Sequence, residues 1–160
     1  MTNSRPLPLD IREIIMTDKD LKVFDLNSFL PFELHQASEH LSSSFSQIYR
    51  DNFGMTRTEW RVFAHLGQSS PLTATQIGQS SKLHKTKVSR AVTSLQKRGW
   101  VKRIESDEDR RIQSLHLTKT GQTTYQSLAQ KALKFDQNVK ARMGENDFQQ
   151  LLSLLQKLQN

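Results

Sequence analysis

A chain of 160 residues with 35% hydrophobic side chains and a net charge of +7 fits one domain, or one domain with an appendage. It has no cysteine, which excludes disulfide staples, thiolate metal sites and cysteine-based redox sensing. No apolar run reaches the roughly 18 residues of a membrane span, and the opening MTNSRPLPLDIREII lacks the apolar stretch and small-residue cleavage site of a secretory signal, so a cytoplasmic location is expected.

Residues 1–30 mix Pro6, Pro8 and scattered charges without sustained periodicity, which predicts an arm that is partly disordered or docked on the rest. From Pro31 the pattern changes. Leu34, Ala37, Leu41, Phe45 and Ile48 recur every three or four residues, predicting an amphipathic helix to about Asp51 that Gly54 closes. Thr56 and Glu59 have capping-box spacing and open a second helix, with Trp60, Phe63 and Leu66 turned inward. GQSSP, residues 67–71, reads as a loop. Thr73 and Gln76 repeat the capping-box spacing before a short helix around Ile77.

The next helix, about His84 to Arg98, puts Val88, Ala91, Val92 and Leu95 on one face and ends at Gly99, where a left-handed cap residue belongs. Val101–Ile104 and Ile112–Leu117 read as two strands around a turn at 105–111, with Leu115 and Leu117 alternating to one side. Thr118 is an N-cap candidate for a long helix carrying Tyr125, Leu128, Ala132, Phe135, Val139 and Met143. After Gly144 a last helix bears the stripe Phe148, Leu151, Leu152, Leu155 and Leu158.

This order makes a mainly α protein: a winged helix-turn-helix over 56–120, with a small β-hairpin as the wing. It is flanked by helices at 31–53 and 121–160. The terminal helices have apolar faces without enough core to cover them, so they are expected to pair with the same helices of a second copy.

Charge is concentrated on the same module. Positions 82–111 hold 10 Lys and Arg against 4 Asp and Glu, a net +6 of the chain's +7. A basic surface on a helix shaped to enter a groove is the footprint of a DNA reader. Thr86, Lys87 and Arg90 are assigned to base edges, and Lys85 and Ser89 to phosphate. At the hairpin tip, Arg110 and Arg111 suit a narrow minor groove, and Asp109 suits holding the Arg111 guanidinium. A solvated basic face is the plainer reading of such a helix, and a surface turn that of the hairpin. The charge concentration on helix and wing together favours DNA.

Other chemistries find less support. The acidic residues Glu105, Asp107, Glu108 and Asp109 lack the spacing of a calcium loop. His35 and Glu39 stand four apart without a second pair, so no metal is expected. No phosphate-binding loop, nucleophile elbow or carboxylate pair marks an enzyme, and no cofactor is expected. A winged-helix module that binds proteins is the alternative to a DNA reader, but it has less reason to gather +6 on one surface.

The segment His84-Lys85-Thr86-Lys87-Val88-Ser89-Arg90, with Leu95, Gly99 and Val101, the Asp109-Arg110-Arg111 turn, Leu117-Thr118 and Gly121 resemble the MarR family of transcriptional regulators over about residues 30–160. The resemblance implies a homodimer on double-stranded DNA with a pseudo-palindromic operator, usually a repressor released by a small-molecule effector. It also implies an effector pocket, for which Tyr49, Trp60, Phe63 and His65 are candidates, although their spacing makes them core residues first. His84 stands where the family more often has Asp or another good N-cap.

Overall fold

The computed structural model describes residues 24–105 and 113–159. A short 3₁₀ turn, Leu26–Ser28, precedes helix α1, Leu30–Phe53, which α2, Arg57–Ser69, follows. Then come β1, Leu72–Thr73, α3, Ala74–Ser81, and α4, Lys85–Lys97. Strands β2, Val101–Glu105, and β3, Gln113–Leu117, lead into α5, Lys119–Met143, and α6, Glu145–Lys157. The chain divides into two compact units, one from Leu41 to Phe135 and the other from the described residues through His40 together with those from Asp136 onward.

The larger unit is the winged module. Both capping boxes form as their spacing predicts. The Thr56 hydroxyl accepts from Glu59 N at 3.3 Å while the Glu59 carboxylate accepts from Thr56 N at 2.6 Å. Thr73 and Gln76 do the same at 3.2 and 2.8 Å. Each pair satisfies two amides that the start of a helix leaves open. The helices then bury Val62, Phe63 and Leu66 of α2, Ile77 of α3, and Val88, Ala91, Val92 and Leu95 of α4 around one core, completed by Val101, Leu115, Leu117 and Leu128.

The strands form an antiparallel sheet in the order β1-β3-β2. Val101 pairs with Leu117 and Glu105 with Gln113, so Leu115 and Leu117 face the core as the alternation predicts. Gly99, at φ +71, makes the left-handed step from α4 into β2 with nothing near the position of a Cβ, so conformation alone calls for glycine there. Thr118 caps α5: its hydroxyl accepts from Gly121 N at 3.0 Å and donates to Gly99 O at 2.6 Å.

Three details differ from the sequence reading. The expected loop at 67–71 is mostly helix, since α2 runs to Ser69. The reason is contact: a Cβ on Gly67 would fall 2.1 Å from the Tyr125 ring, so this glycine admits a close aromatic neighbour and breaks nothing. The two-residue β1 was not expected. It pairs Leu72 with Leu115 and Thr73 with Ser114, and it is too short to show alternation. Lys82 closes α3 at φ 50, a left-handed position without the glycine that would signal it.

In the smaller unit, Lys140 bridges to Glu145 at 2.7 Å and lies over the Phe148 ring at 6.0 Å. No residue of α6 is fully buried, and Leu151, Leu152, Leu154 and Leu158 are exposed. The expected arm falls outside the described residues through position 23. Within 24–30, Asp25 caps the 3₁₀ turn and Phe24 meets Phe29 edge-on at 5.4 Å. None of the helices described is long and apolar enough to cross a membrane.

Candidate nucleic-acid interface

Helix α4 has two sides of opposite character. Val88, Ala91, Val92 and Leu95 are buried, whereas Lys85, Thr86, Lys87, Ser89 and Arg90 are all exposed. The five positions assigned to DNA from sequence thus share one solvent-facing surface backed by the core. Residues Lys87, Arg90 and Ala91 also line a shallow groove with Thr56, Thr58 and Glu59 of α2.

The exposed surface runs further than the sequence reading took it. Ser89, Arg90, Thr93, Ser94 and Lys97 line a second groove along α4. Lys97 lies two helical turns beyond Ser89, so the i, i+4 spacing was the signal that would have found it. The Thr93 hydroxyl donates to Ser89 O at 3.0 Å.

The start of α4 is built against its own stability. Its N-cap residue, His84, makes no side-chain cap bond, and the first turn holds no acidic residue while carrying Lys85 and Lys87. Cations at the positive end of a helix dipole are unfavourable by a few tenths of a kcal/mol, up to about 1 kcal/mol. An anion outside the helix reverses that sign, and a DNA phosphate is such an anion.

Behind the surface sits a buried carboxylate. Glu59 is 6% exposed, and burial pushes its pKa up. Hydrogen bonds from the Ser94 hydroxyl and from Thr56, with the Arg98 charge, outweigh that cost and hold the carboxyl below its ordinary 4.5. It is therefore ionised at neutral pH, within a module of excess positive charge.

On the wing, Arg103 of β2 donates from Nε to the Gln96 side chain at 3.2 Å and from Nη1 to the Gln113 side chain at 3.0 Å, tying both strands to α4. Asp109, Arg110 and Arg111 lie outside the described residues.

Of the four residues considered for an effector, Tyr49 and Phe63 belong to the buried core, and Trp60 packs against it. Tyr49, buried, stacks on Trp60 at 6.1 Å, and Phe45 packs edge-on against both at 5.6 and 5.1 Å. Phe45 also meets Phe135 at 5.3 Å, a pairing across α1 and α5 that spacing along one helix does not reveal. Phe63, fully buried, also contacts the Trp100 and Tyr125 rings, and His65 is half-buried. No group of three or more metal-ligating side chains gathers among the described residues.

The sequence model of the MarR family matches residues 53–112, the segment that runs from the end of α1 into the wing. The MarR/EmrR family transcriptional regulator from Acinetobacter sp. ADP1 superposes with a TM-score of 0.76 at 26% identity, covering 86% of this chain and 96% of that one. Over its winged module this chain is similar to the MarR family.

Over 76% of this chain and 88% of the relative, it is also 25% identical to the HTH-type transcriptional regulator YwoH of Bacillus subtilis. The fold is shared, at 16% identity and a TM-score of 0.76, with BpsR of Bordetella bronchiseptica, whose DNA binding is regulated by 6-hydroxynicotinic acid; 87% of this chain and 99% of that one are covered. The relatives and solved structures it resembles are transcriptional regulators, and this chain is a DNA-binding regulator like them.

Proposed function

We propose that this regulator is a cytoplasmic homodimer that represses transcription from a pseudo-palindromic operator and is released by a small molecule. The observation that carries the reading is the surface of α4. Five polar or basic side chains, Lys85 to Arg90 without Val88, are exposed together over a packed apolar back. Such a helix presents short hydrogen-bonding groups to base edges and cations to phosphates. In this reading Thr86, Lys87 and Arg90 meet bases and Lys85 and Ser89 meet phosphate. Arg110 and Arg111 of the wing enter the adjacent minor groove, with Asp109 orienting Arg111.

Release by a small molecule is supported by the shared fold with BpsR, and the aromatic group of Tyr49 and Trp60 is the candidate place for it. Phe63 and His65 stay in the proposal beside them.

The test takes operators selected from a genomic library. Arg90→Ala should cost about 1–3 kcal/mol per half-site and relax base preference at one position. Lys85→Ala should weaken all sequences alike and flatten the salt dependence. Arg111→Ala should lose most affinity on operators with A·T-rich flanks, where the minor groove is narrow. Parent-like binding by both the Arg90 and Lys85 variants would remove α4 from the interface.

A further inference from the structure

Arg98 caps the C-terminal end of α4, and its guanidinium is forked. Nη1 donates to Phe53 O at 2.6 Å and Nη2 to Gly54 O at 2.7 Å, where α1 ends and turns toward α2. The same group lies 3.9 Å from the buried Glu59 carboxylate and 5.1 Å from the centre of the Trp100 ring. One side chain thus satisfies carbonyls at the end of α1, approaches the capping carboxylate of α2 and covers the first residues after α4. Ser94, one turn earlier on α4, hydrogen-bonds Glu59 as well.

We propose that Arg98 is a positioning residue for DNA binding, whose fork onto Phe53 and Gly54 beside Glu59 sets the angle at which α4 presents its outer face. This rests on the reading of α4 as the recognition helix. Apolar burial of Val88, Ala91, Val92 and Leu95 holds α4 in place, but burial is non-directional and tolerates small rotations. A planar fork with two donors at fixed angles does not. Lys85 lies about 20 Å from Arg98 along the helix, at 1.5 Å per residue, so a tilt of about 5° would move it about 1.7 Å. Hydrogen bonds to base edges do not survive such a shift.

Lysine separates this role from plain charge, because it keeps the cation and the aliphatic stem but cannot reach two carbonyls in one plane. The experiment measures operator and unrelated-DNA affinity across a salt series for the parent, Arg98→Lys, Arg98→Ala, Lys85→Ala and Arg90→Ala. All measurements are made at a temperature where each variant's circular dichroism is native. Arg98→Lys and Arg98→Ala should both bind operator about tenfold more weakly, with the salt slope and the affinity for unrelated DNA unchanged.

Parent-like operator binding by Arg98→Lys would overturn the proposal in favour of simple electrostatics. A flattened salt slope in Arg98→Ala would overturn it in favour of a direct phosphate contact, and equal losses on both DNAs would mean a structural role only. Should Lys85→Ala, and Arg90→Ala beside it, both bind like the parent, the recognition-helix reading itself falls, and the inference with it.

Discussion

Two residues show how single groups hold the module, and each gives a prediction. Glu59 is a carboxylate whose folded pKa lies below its ordinary 4.5. Such a group contributes stability that is fully present above the unfolded pKa and is lost as pH falls through the folded one. The groups facing it are the Arg98 guanidinium, the Ser94 and Thr56 hydroxyls and, along the same groove, Lys87 and Arg90. Glutamine preserves the capping box but carries no charge, so Glu59→Gln should lower thermal stability at neutral pH. It should also make the decline below about pH 4.5 shallower than in the parent. Melting curves from pH 7 to pH 3 decide it: parallel declines would mean that the charge is unimportant. Gly121 illustrates a different constraint. A Cβ there would fall 2.0 Å from Trp100 O, and a backbone atom cannot swing aside. Alanine gains about 1 kcal/mol in helix propensity, but overpacking costs about 3 kcal/mol, so Gly121→Ala should be destabilising by denaturant midpoint. The sequence marked this glycine only through the family resemblance, because a close approach of two distant segments leaves no local pattern.

At the level of elements, the sequence was most legible where local chemistry and tertiary packing agreed. Thr56 with Glu59, Thr73 with Gln76 and Gly99 mark helix ends by bonds made within a few residues, and all three sit as their spacing predicts. The buried and exposed sides of α4 followed from a 3.6-residue period alone. Gly67 failed as a breaker because its neighbour, Tyr125, comes from α5, and β1 went unseen because its partner is Leu115. Helix α4 also carries an instructive defect: His84 supplies no side-chain cap to the helix it begins. His84→Ser should form the missing bond and stabilise the module by about 1 kcal/mol, read as a higher melting temperature. An unchanged or lower melting temperature would mean that His84 contributes something else at that corner.

For the whole molecule, the question is what covers its exposed apolar residues. Phe24 is 69% exposed, Leu133 62% and Leu158 58%, and Leu26, Phe29, Leu30, Leu151, Leu152 and Leu154 are also open. Most belong to the unit made from the two ends of the chain, whereas the winged unit buries its large side chains well. The sequence showed this imbalance as leucine stripes without a partner, yet it could not say which faces would stay open, since that depends on how helices from both ends meet. Isolated exposed leucines are ordinary, but a group this dense in one unit is what a protein interface requires. A stable dimer buries about 1,600 Å² in total, with an apolar centre. In the proposed dimer, α6 supplies much of that centre, and its link to α5 through Lys140, Glu145 and Phe148 is a salt bridge and a cation–π contact at the surface, which contribute little alone. Removing residues 145–160 should therefore abolish the dimer and uncover the apolar side of α5. Aggregated or unfolded protein is the expected product, without operator binding. Sedimentation velocity on the parent should give twice the chain mass. A well-folded monomer after truncation, or a monomeric parent at micromolar concentration, would show that these leucines serve something other than pairing with a second copy.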